Sequence, residues 1–142
     1  MSERITELIE GLYNQYGTLD PFALVEHAGI DLHYVPYLDN PMGQYLKLVG
    51  TPTILLSDTL EGSPERFFVL SHELHHALEH EDICSYYTLN SLSRSKMEQE
   101  ANKFAAAMCL NLYIEEQEKL PETTVDLLNE YGVPLELSEI LL

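Results

Sequence analysis

The sequence predicts a single α+β domain, residues 1–142, in which a small, mostly antiparallel three-stranded sheet packs against helices. Three observations support this fold class. A chain of 142 residues is the size of one domain with a substantial core. Two amphipathic segments come first, and three short alternating segments follow between about residues 31 and 57. The rest has mainly helical periodicity, and such segregation of strands and helices is typical of α+β domains.

Two helices are predicted at the N-terminus. The first begins at Ser2 and ends at Gly17, and its apolar residues recur at the spacing of one helix face. The second begins at Asp20-Pro21, a capping residue followed by a first-turn proline, and ends at Gly29. Both segments carry almost no basic residues, so they do not make a convincing helix-turn-helix DNA reader.

Three strands are predicted next, at residues 31–36, 44–49 and 53–57. Residues 40–43 form a turn between the first two strands, and residues 50–52 form a turn between the last two. Both turns contain proline and glycine, which are the strongest local signals for a change of chain direction.

Two longer helices follow, at about residues 64–80 and 95–110. A cap-plus-proline pair opens the first of them, and the second is predicted to break near Asn111. The polar segment 82–93 between them is a candidate lid or substrate-binding loop.

Short helices are predicted in the C-terminal part. One starts at Thr123 or Thr124 and stops at Gly132. The apolar residues from Leu137 to Leu142 are expected to pack onto the core.

Charge and composition exclude several classes of function. The chain has 24 acidic and 7 basic side chains, a formal net charge of −17. This charge argues against direct binding of nucleic acid or anionic membranes. It would attract a basic protein partner, and the equally open alternative is that the acidity only keeps a small protein in solution. The chain has no apolar run of membrane-spanning length and no N-terminal signal segment, so we expect a cytoplasmic protein. Cys84 and Cys109 show no metal-site spacing and are expected to be free thiols.

The most informative motif is His72-Glu73-Leu74-His75-His76, which reads H-E-x-x-H within an apolar helical segment. Residues four apart lie on one helix face, so His72 and His76 can direct two imidazoles at one metal ion. Glu73 can reach a water beside that metal without being a ligand. Two nitrogen ligands, an open position and a neighbouring carboxylate are what a zinc hydrolase needs.

A third ligand is predicted on the following helix. Glu98 borders the buried stripe of that helix, whereas Glu100 points about 160° away from Glu98. The alternative for Glu98 is a capping box with Ser95, because Ser95-x-x-Glu98 fits that pattern. The alternative for Glu100 is a solvent-facing charge.

The segments HELHHALEH and MEQEANKFAAAMCL resemble the ImmA/IrrE family of zinc metallopeptidases, which have a zincin-like, more specifically gluzincin-like, site. The resemblance implies a Zn²⁺ ion bound by His72, His76 and Glu98, with Glu73 as the catalytic base. It implies that Asn102 orients a ligand histidine. It further implies that the substrate is a cytoplasmic helix-turn-helix repressor, cut to release genes of a mobile element or a stress response.

Several residues are candidates for a second electrophile that assists the reaction. They are His75, His80, Tyr45, Tyr86 and Tyr87. The strand at residues 43–49 is a candidate edge for an extended substrate.

Two other functions remain open at this stage. One is a catalytically silent peptidase fold that sequesters a protein partner, and the other is a zinc hydrolase for small molecules. The sequence does not indicate an oligomeric state.

Overall fold

The computed structural model of the chain describes residues 3–79 and 91–141, without the side chains of Ser91 and Ser93. Within these ranges the α+β class is confirmed, with helices and one three-stranded sheet. No helix in the described part is both long enough and apolar enough to cross a membrane. The helices are α1 (Glu3–Tyr16), α2 (Pro21–His27), α3 (Glu65–Glu79), α4 (Ser91–Gln117), α5 (Thr124–Tyr131) and α6 (Leu135–Leu141), and the strands are β1 (Asp31–Val35), β2 (Gly43–Leu48) and β3 (Thr51–Ser57).

The sheet is mixed, with the strand order β1-β3-β2. Ile54 of β3 pairs with Leu32 in the parallel direction and with Tyr45 in the antiparallel direction. The expectation of a mostly antiparallel sheet is therefore corrected, because one of the two pairings is parallel. After β1 the chain forms β2 at the opposite edge of the sheet and then returns through β3 in the centre. β3 runs antiparallel to β2 and parallel to β1. The central position explains why residues 53–57 are all buried.

The β2–β3 turn is tighter than predicted. It consists of Val49 and Gly50, whose φ angles of 51° and 81° suit the two central positions of a type I′ turn. Pro52, expected in the turn, belongs to β3 and lies opposite Lys47. It precedes Thr53, the first residue that pairs with β1, so its missing N–H removes no bond to β1.

The second helix has the predicted N-cap, whereas the predicted start of the first helix at Ser2 lies outside the described residues. The Asp20 side chain accepts a hydrogen bond from the Phe22 backbone N–H at 2.9 Å and caps α2. A contact from α4 secures the connection between α1 and α2. The carboxylate of Glu115 accepts hydrogen bonds from the Thr18 hydroxyl at 2.9 Å and from the Leu19 backbone N–H at 3.0 Å.

The helix pair α3 and α4 forms the centre of the helical layer. Leu70 and Leu74 of α3 are buried in one hydrophobic core together with Phe104 and Met108 of α4. The other buried positions of α4 are rich in alanine, and small side chains at a helix contact allow the two backbones to approach closely. These alanines are Ala101, Ala105, Ala106 and Ala107.

The predicted break in α4 near Asn111 is wrong. The helix has 27 residues and continues to Gln117. The side-chain amide of Asn111 donates to the Ala107 carbonyl at 2.8 Å, and the buried residues Leu112 and Tyr113 continue the apolar face. The helix also begins at Ser91, so the last residues of the predicted 82–93 loop are helical. The rest of that loop lies outside the described residues.

The C-terminal part folds back onto the helical layer. Thr123 and Asp126 form a capping box at the start of α5, and Gly132 ends it with a φ of 71°. Leu137 and Leu141 pack against a second hydrophobic cluster, as predicted for the apolar C-terminus, whereas Ile140 is 68% exposed.

Replacement of Gly132 by alanine is expected to destabilise the protein strongly. A Cβ at this position would overlap the Cα of Glu65 and lie 2.9 Å from its backbone nitrogen. The positive φ adds about 1–2 kcal/mol for any residue with a Cβ, and forced overpacking adds about 1–3 kcal/mol. Gly17→Ala is the matched control, since its φ is 77° but no atom lies within 4 Å of its Cβ. Urea denaturation should show the larger loss of unfolding free energy for Gly132→Ala, and equal losses would contradict the packing argument.

Candidate metal centre

Helix α3 presents His72 and His76 to the same point. The two residues are one turn apart, and their Nε2 atoms are 3.2 Å from each other. The rings meet edge to face, with centroids 4.9 Å apart. His76 is buried and His72 is partly buried, so packing against neighbouring residues restricts the movement of both imidazoles.

Glu98 of α4 completes the cluster. Its Oε2 lies 2.9 Å from His72 Nε2, and its Oε1 lies 2.8 Å from His76 Nε2. Ser95 lies inside α4, which begins at Ser91, so it is not an N-cap and the capping-box alternative does not apply. Glu100 lines a different cavity, together with Arg4 and His75.

The three side chains fit a zinc ion. One ligand atom from each of His72, His76 and Glu98 lies within 4.8 Å of the other two. Ligands about 2.0 Å from a tetrahedral zinc are about 3.3 Å apart, and the three short distances approach this value. Two imidazole nitrogens and one carboxylate oxygen are also a ligand set that suits zinc. The cluster leaves a fourth coordination position for solvent or substrate.

Asn102 contacts the first histidine. Its Oδ1 lies 2.8 Å from His72 Nδ1, one helical turn after Glu98. An amide oxygen only accepts, so the Nδ1–H of His72 donates to it. In the neutral ring, this leaves the lone pair of Nε2 directed at the cluster, as a metal ligand requires.

Glu73 lies beside the cluster without joining it. Its carboxylate is buried, with Oε2 3.9 Å from His72 Nε2. Burial raises the pKa of Glu73. Positive charge on the neighbouring imidazoles of His72 and His76 opposes this rise, and so does a hydrogen bond from the Tyr45 backbone. A raised pKa in a carboxylate close to a reacting water is suited to a general base.

The cluster attracts positive charge. The hydrogen bonds from His72 and His76 hold the pKa of Glu98 well below its usual range, although burial opposes this. Burial alone would lower the pKa of His72, but the hydrogen bond to Glu98 and the charges of Glu73 and Glu98 raise it overall. In the absence of a metal, these carboxylates favour protonation of His72.

The sheet edge contacts the base directly. A Cβ on Gly43 of β2 would lie 2.7 Å from Val69 Cγ1 and 3.0 Å from Glu73 Cγ. Only glycine therefore allows the strand to pass this close to α3. Gly43 was expected in a turn and at the start of the candidate substrate edge 43–49, but its contact with Glu73 could not be predicted because it depends on tertiary packing.

The candidates for a second electrophile are placed differently. His75 is buried against Phe104, with ring centroids 4.9 Å apart, and lines the cavity behind α3. The backbone of Tyr45 contacts Glu73, while its partly buried side chain packs against the main core. His80, Tyr86 and Tyr87 lie outside the described residues, and so does Cys84. Cys109 is a free, buried thiol.

A cleft of about 220 Å³ opens beside the cluster. Among the described residues, its lining comes from the start of β2 and from α3 and α4. These residues are Pro41, Met42, Gly43, Phe68, Val69, His72, Glu73 and Glu98. The cleft therefore gives a ligand direct access to the candidate base and to the metal ligands.

Residues 25–140 match the peptidase family described as the IrrE N-terminal-like domain. The chain belongs to this family. The resemblance stated from the motifs is thereby confirmed. The chain is also similar to uncharacterized immunity region protein 2 of Bacillus phage phi105, with 31% identity over 141 residues. The alignment covers 96% of this chain and 87% of the phage protein. No solved structure matches the chain.

Glu98→Gln is expected to weaken zinc binding more than Glu100→Gln. The first change removes a carboxylate that contacts both histidines, whereas the second affects a residue two positions away on another face. The loss for Glu98→Gln should exceed the roughly 10–100-fold that a residue supporting a ligand contributes. Competition with a chelator would measure the affinities, and equal zinc affinity in both variants would contradict the assignment of Glu98.

Asn102→Leu is expected to lower zinc affinity by roughly 10–100-fold, because it removes the acceptor that holds the His72 ring. Asn102→Asp keeps an acceptor and should retain zinc. Asn111→Leu is the control on the same helix, since the Asn111 amide donates to the helix backbone at Ala107. A similar loss of zinc affinity in Asn102→Leu and Asn111→Leu would indicate a general effect on α4 instead of an effect on the ligand.

Proposed function

We propose that this protein is a zinc-dependent endopeptidase that cleaves a cytoplasmic helix-turn-helix transcriptional repressor. The observation that carries this proposal is the convergence of His72, His76 and Glu98, with the buried carboxylate of Glu73 beside them. Membership of a peptidase family supports it independently.

The chemistry follows from the positions of the side chains. When bound, zinc would act as a Lewis acid that polarises the substrate carbonyl and lowers the pKa of water to about 7. Glu73 takes one proton from the water that attacks the peptide carbon. It then delivers this proton to the amine nitrogen as the C–N bond breaks. The Tyr45 backbone holds the Glu73 carboxylate in place during both transfers.

Neighbouring residues hold the two histidine rings in position, so the rings need little movement during the reaction. Asn102 fixes the ring of His72, and the packing of His76 in the core fixes the second imidazole. A preorganised site of this kind stabilises developing charge without reorientation during the reaction.

The proposed partner is consistent with the charge of the chain. A DNA-binding repressor presents Lys and Arg side chains to DNA, and a protein of net charge −17 attracts such a surface. The similarity to a phage immunity region protein supports a role in a mobile genetic element. Cleavage in a flexible linker would separate the DNA-binding part of the repressor from the remainder.

A catalytically silent binding module is the second candidate, but the burial of Glu73 favours an enzyme. A buried carboxylate costs free energy unless it is paired or hydrogen-bonded. A fold retained only for binding a partner has no need of this residue at 6% exposure beside two histidines.

Glu73→Gln is expected to lower the rate of repressor cleavage by roughly 10²–10⁴-fold while zinc remains bound, since the amide keeps the shape but cannot accept the proton. Glu79→Gln is the control on the same helix, because Glu79 pairs with Arg4 and is not among the residues that line the cleft beside the cluster. Gel electrophoresis of a repressor from the native host and metal analysis would give the two readouts. If Glu73→Gln releases repression as fully as the wild type, the protein acts as a binding module.

A further inference from the structure

One wall of the cleft beside the metal cluster is apolar and belongs to the motif helix itself. Phe68 and Val69 precede His72 and Glu73 by four residues each, so each apolar side chain lies one turn from a functional side chain. One helical turn is about 5.4 Å, which is shorter than two consecutive residues of an extended peptide. A substrate residue beside the bond to be cut therefore lies within reach of Phe68 and Val69.

The segment that leads into β2 forms another wall, with Pro41 and Met42. The Met42 carbonyl accepts a hydrogen bond from the Ser57 backbone N–H at 2.7 Å, which ties this wall to the central strand β3. Gly43, the first residue of β2, then passes close to Val69 and Glu73. One wall is thus held by helix α3, and the other is held by its backbone hydrogen bond to β3.

Size and charge limit what the cleft can accept. Its volume of about 220 Å³ corresponds to about seven water molecules at about 30 Å³ each, enough for a medium or large side chain. Among its described lining residues there is no Lys or Arg, and the carboxylates are Glu73 and Glu98. Apart from the metal cluster itself, an acidic side chain would meet the like charge of these carboxylates and find no Lys or Arg among the described lining residues to pair with.

We infer that this cleft selects an apolar side chain of the size of Leu, Met or Phe in the substrate residue adjoining the scissile bond, with Met42 and Phe68 as specificity-determining residues. The inference rests on the proposed peptidase function and names the class of substrate sequence that this site accepts. Burial of such a side chain between Met42 and Phe68 removes apolar surface from water on both partners.

A peptide mixture tests the inference together with the function on which it rests. The zinc-loaded full chain is incubated with decapeptides randomised at every position, and mass spectrometry identifies the residues on both sides of each cut. Enrichment of Leu, Met or Phe on one side, with depletion of Asp and Glu there, supports the inference. Cleavage without this preference overturns the inference and leaves the peptidase function intact. Absence of any cleavage by a zinc-loaded chain counts against the peptidase function itself, and the inference falls with it.

A binding measurement tests the cleft without catalysis. Amino-acid hydroxamates chelate zinc through one end and present a side chain at the other, so leucine, alanine and aspartate hydroxamates compare the three side-chain classes. We expect the leucine compound to bind roughly 10–100-fold more tightly than the alanine compound, and the aspartate compound more weakly than either. Equal affinities, measured by calorimetry on the zinc-loaded chain, would overturn the inference.

Variants assign the preference to the two proposed residues. Phe68→Ala and Met42→Ala should each reduce the leucine-to-alanine affinity ratio to about threefold or less, whereas Phe68→Leu should retain most of it. Tyr13→Ala, on the exposed face of α1, is the control and should leave the ratio unchanged. A ratio between two ligands does not depend on the fraction of folded protein, so partial loss of stability does not obscure the result. An unchanged ratio in both alanine variants would contradict the assignment.

Discussion

The candidate site depends on how closely α3 and α4 pack. Four of the buried positions of α4 are alanines, and such small side chains allow the helix to lie close to α3. Phe104 packs against His75 at the same interface. Because a glutamate side chain is short, Glu98 reaches both imidazoles only when the two helices lie close together and in this register. The geometry of the candidate metal site is therefore a consequence of core packing.

Charge balance explains why the cluster suits a divalent cation. The carboxylates of Glu73 and Glu98 lie close together in a partly buried setting. When both are ionised, neutral histidines do not offset their two negative charges. The pKa directions of Glu98 and His72 both show that the site favours an added positive charge. A Zn²⁺ ion would supply two positive charges, and His72, His76 and Glu98 would be the side chains that hold it. Binding of the metal and release of a proton from the cluster are thus expected to be linked.

Local patterns in the sequence were sufficient for much of this structure. Periodicity and caps predicted the helices, and the spacing of His72 and His76 predicted their common face without any tertiary information. The parallel pairing of β1 with β3 could not be predicted in this way, because it depends on which strand takes the central position. The continuation of α4 past Asn111 also depends on packing and could not be predicted from local patterns. The Asn111 side chain bonds to the helix backbone, and the buried face of α4 beyond it outweighs its low helix propensity.

Gly43 shows most clearly what a single sequence does not reveal. As one glycine in a predicted turn, it carries no distinctive signal, yet in the fold it lets β2 lie against Val69 and Glu73. The same strand then offers the Tyr45 backbone to the Glu73 carboxylate. Burial raises the pKa of this carboxylate, and the Tyr45 hydrogen bond together with the imidazoles limits the rise. A carboxylate balanced between these effects can accept a proton and release it again, so the edge of the sheet helps set the chemistry of a residue on α3. This is why Gly43, which has no reactive group and lies in no recognised motif, is part of the surroundings of the candidate site.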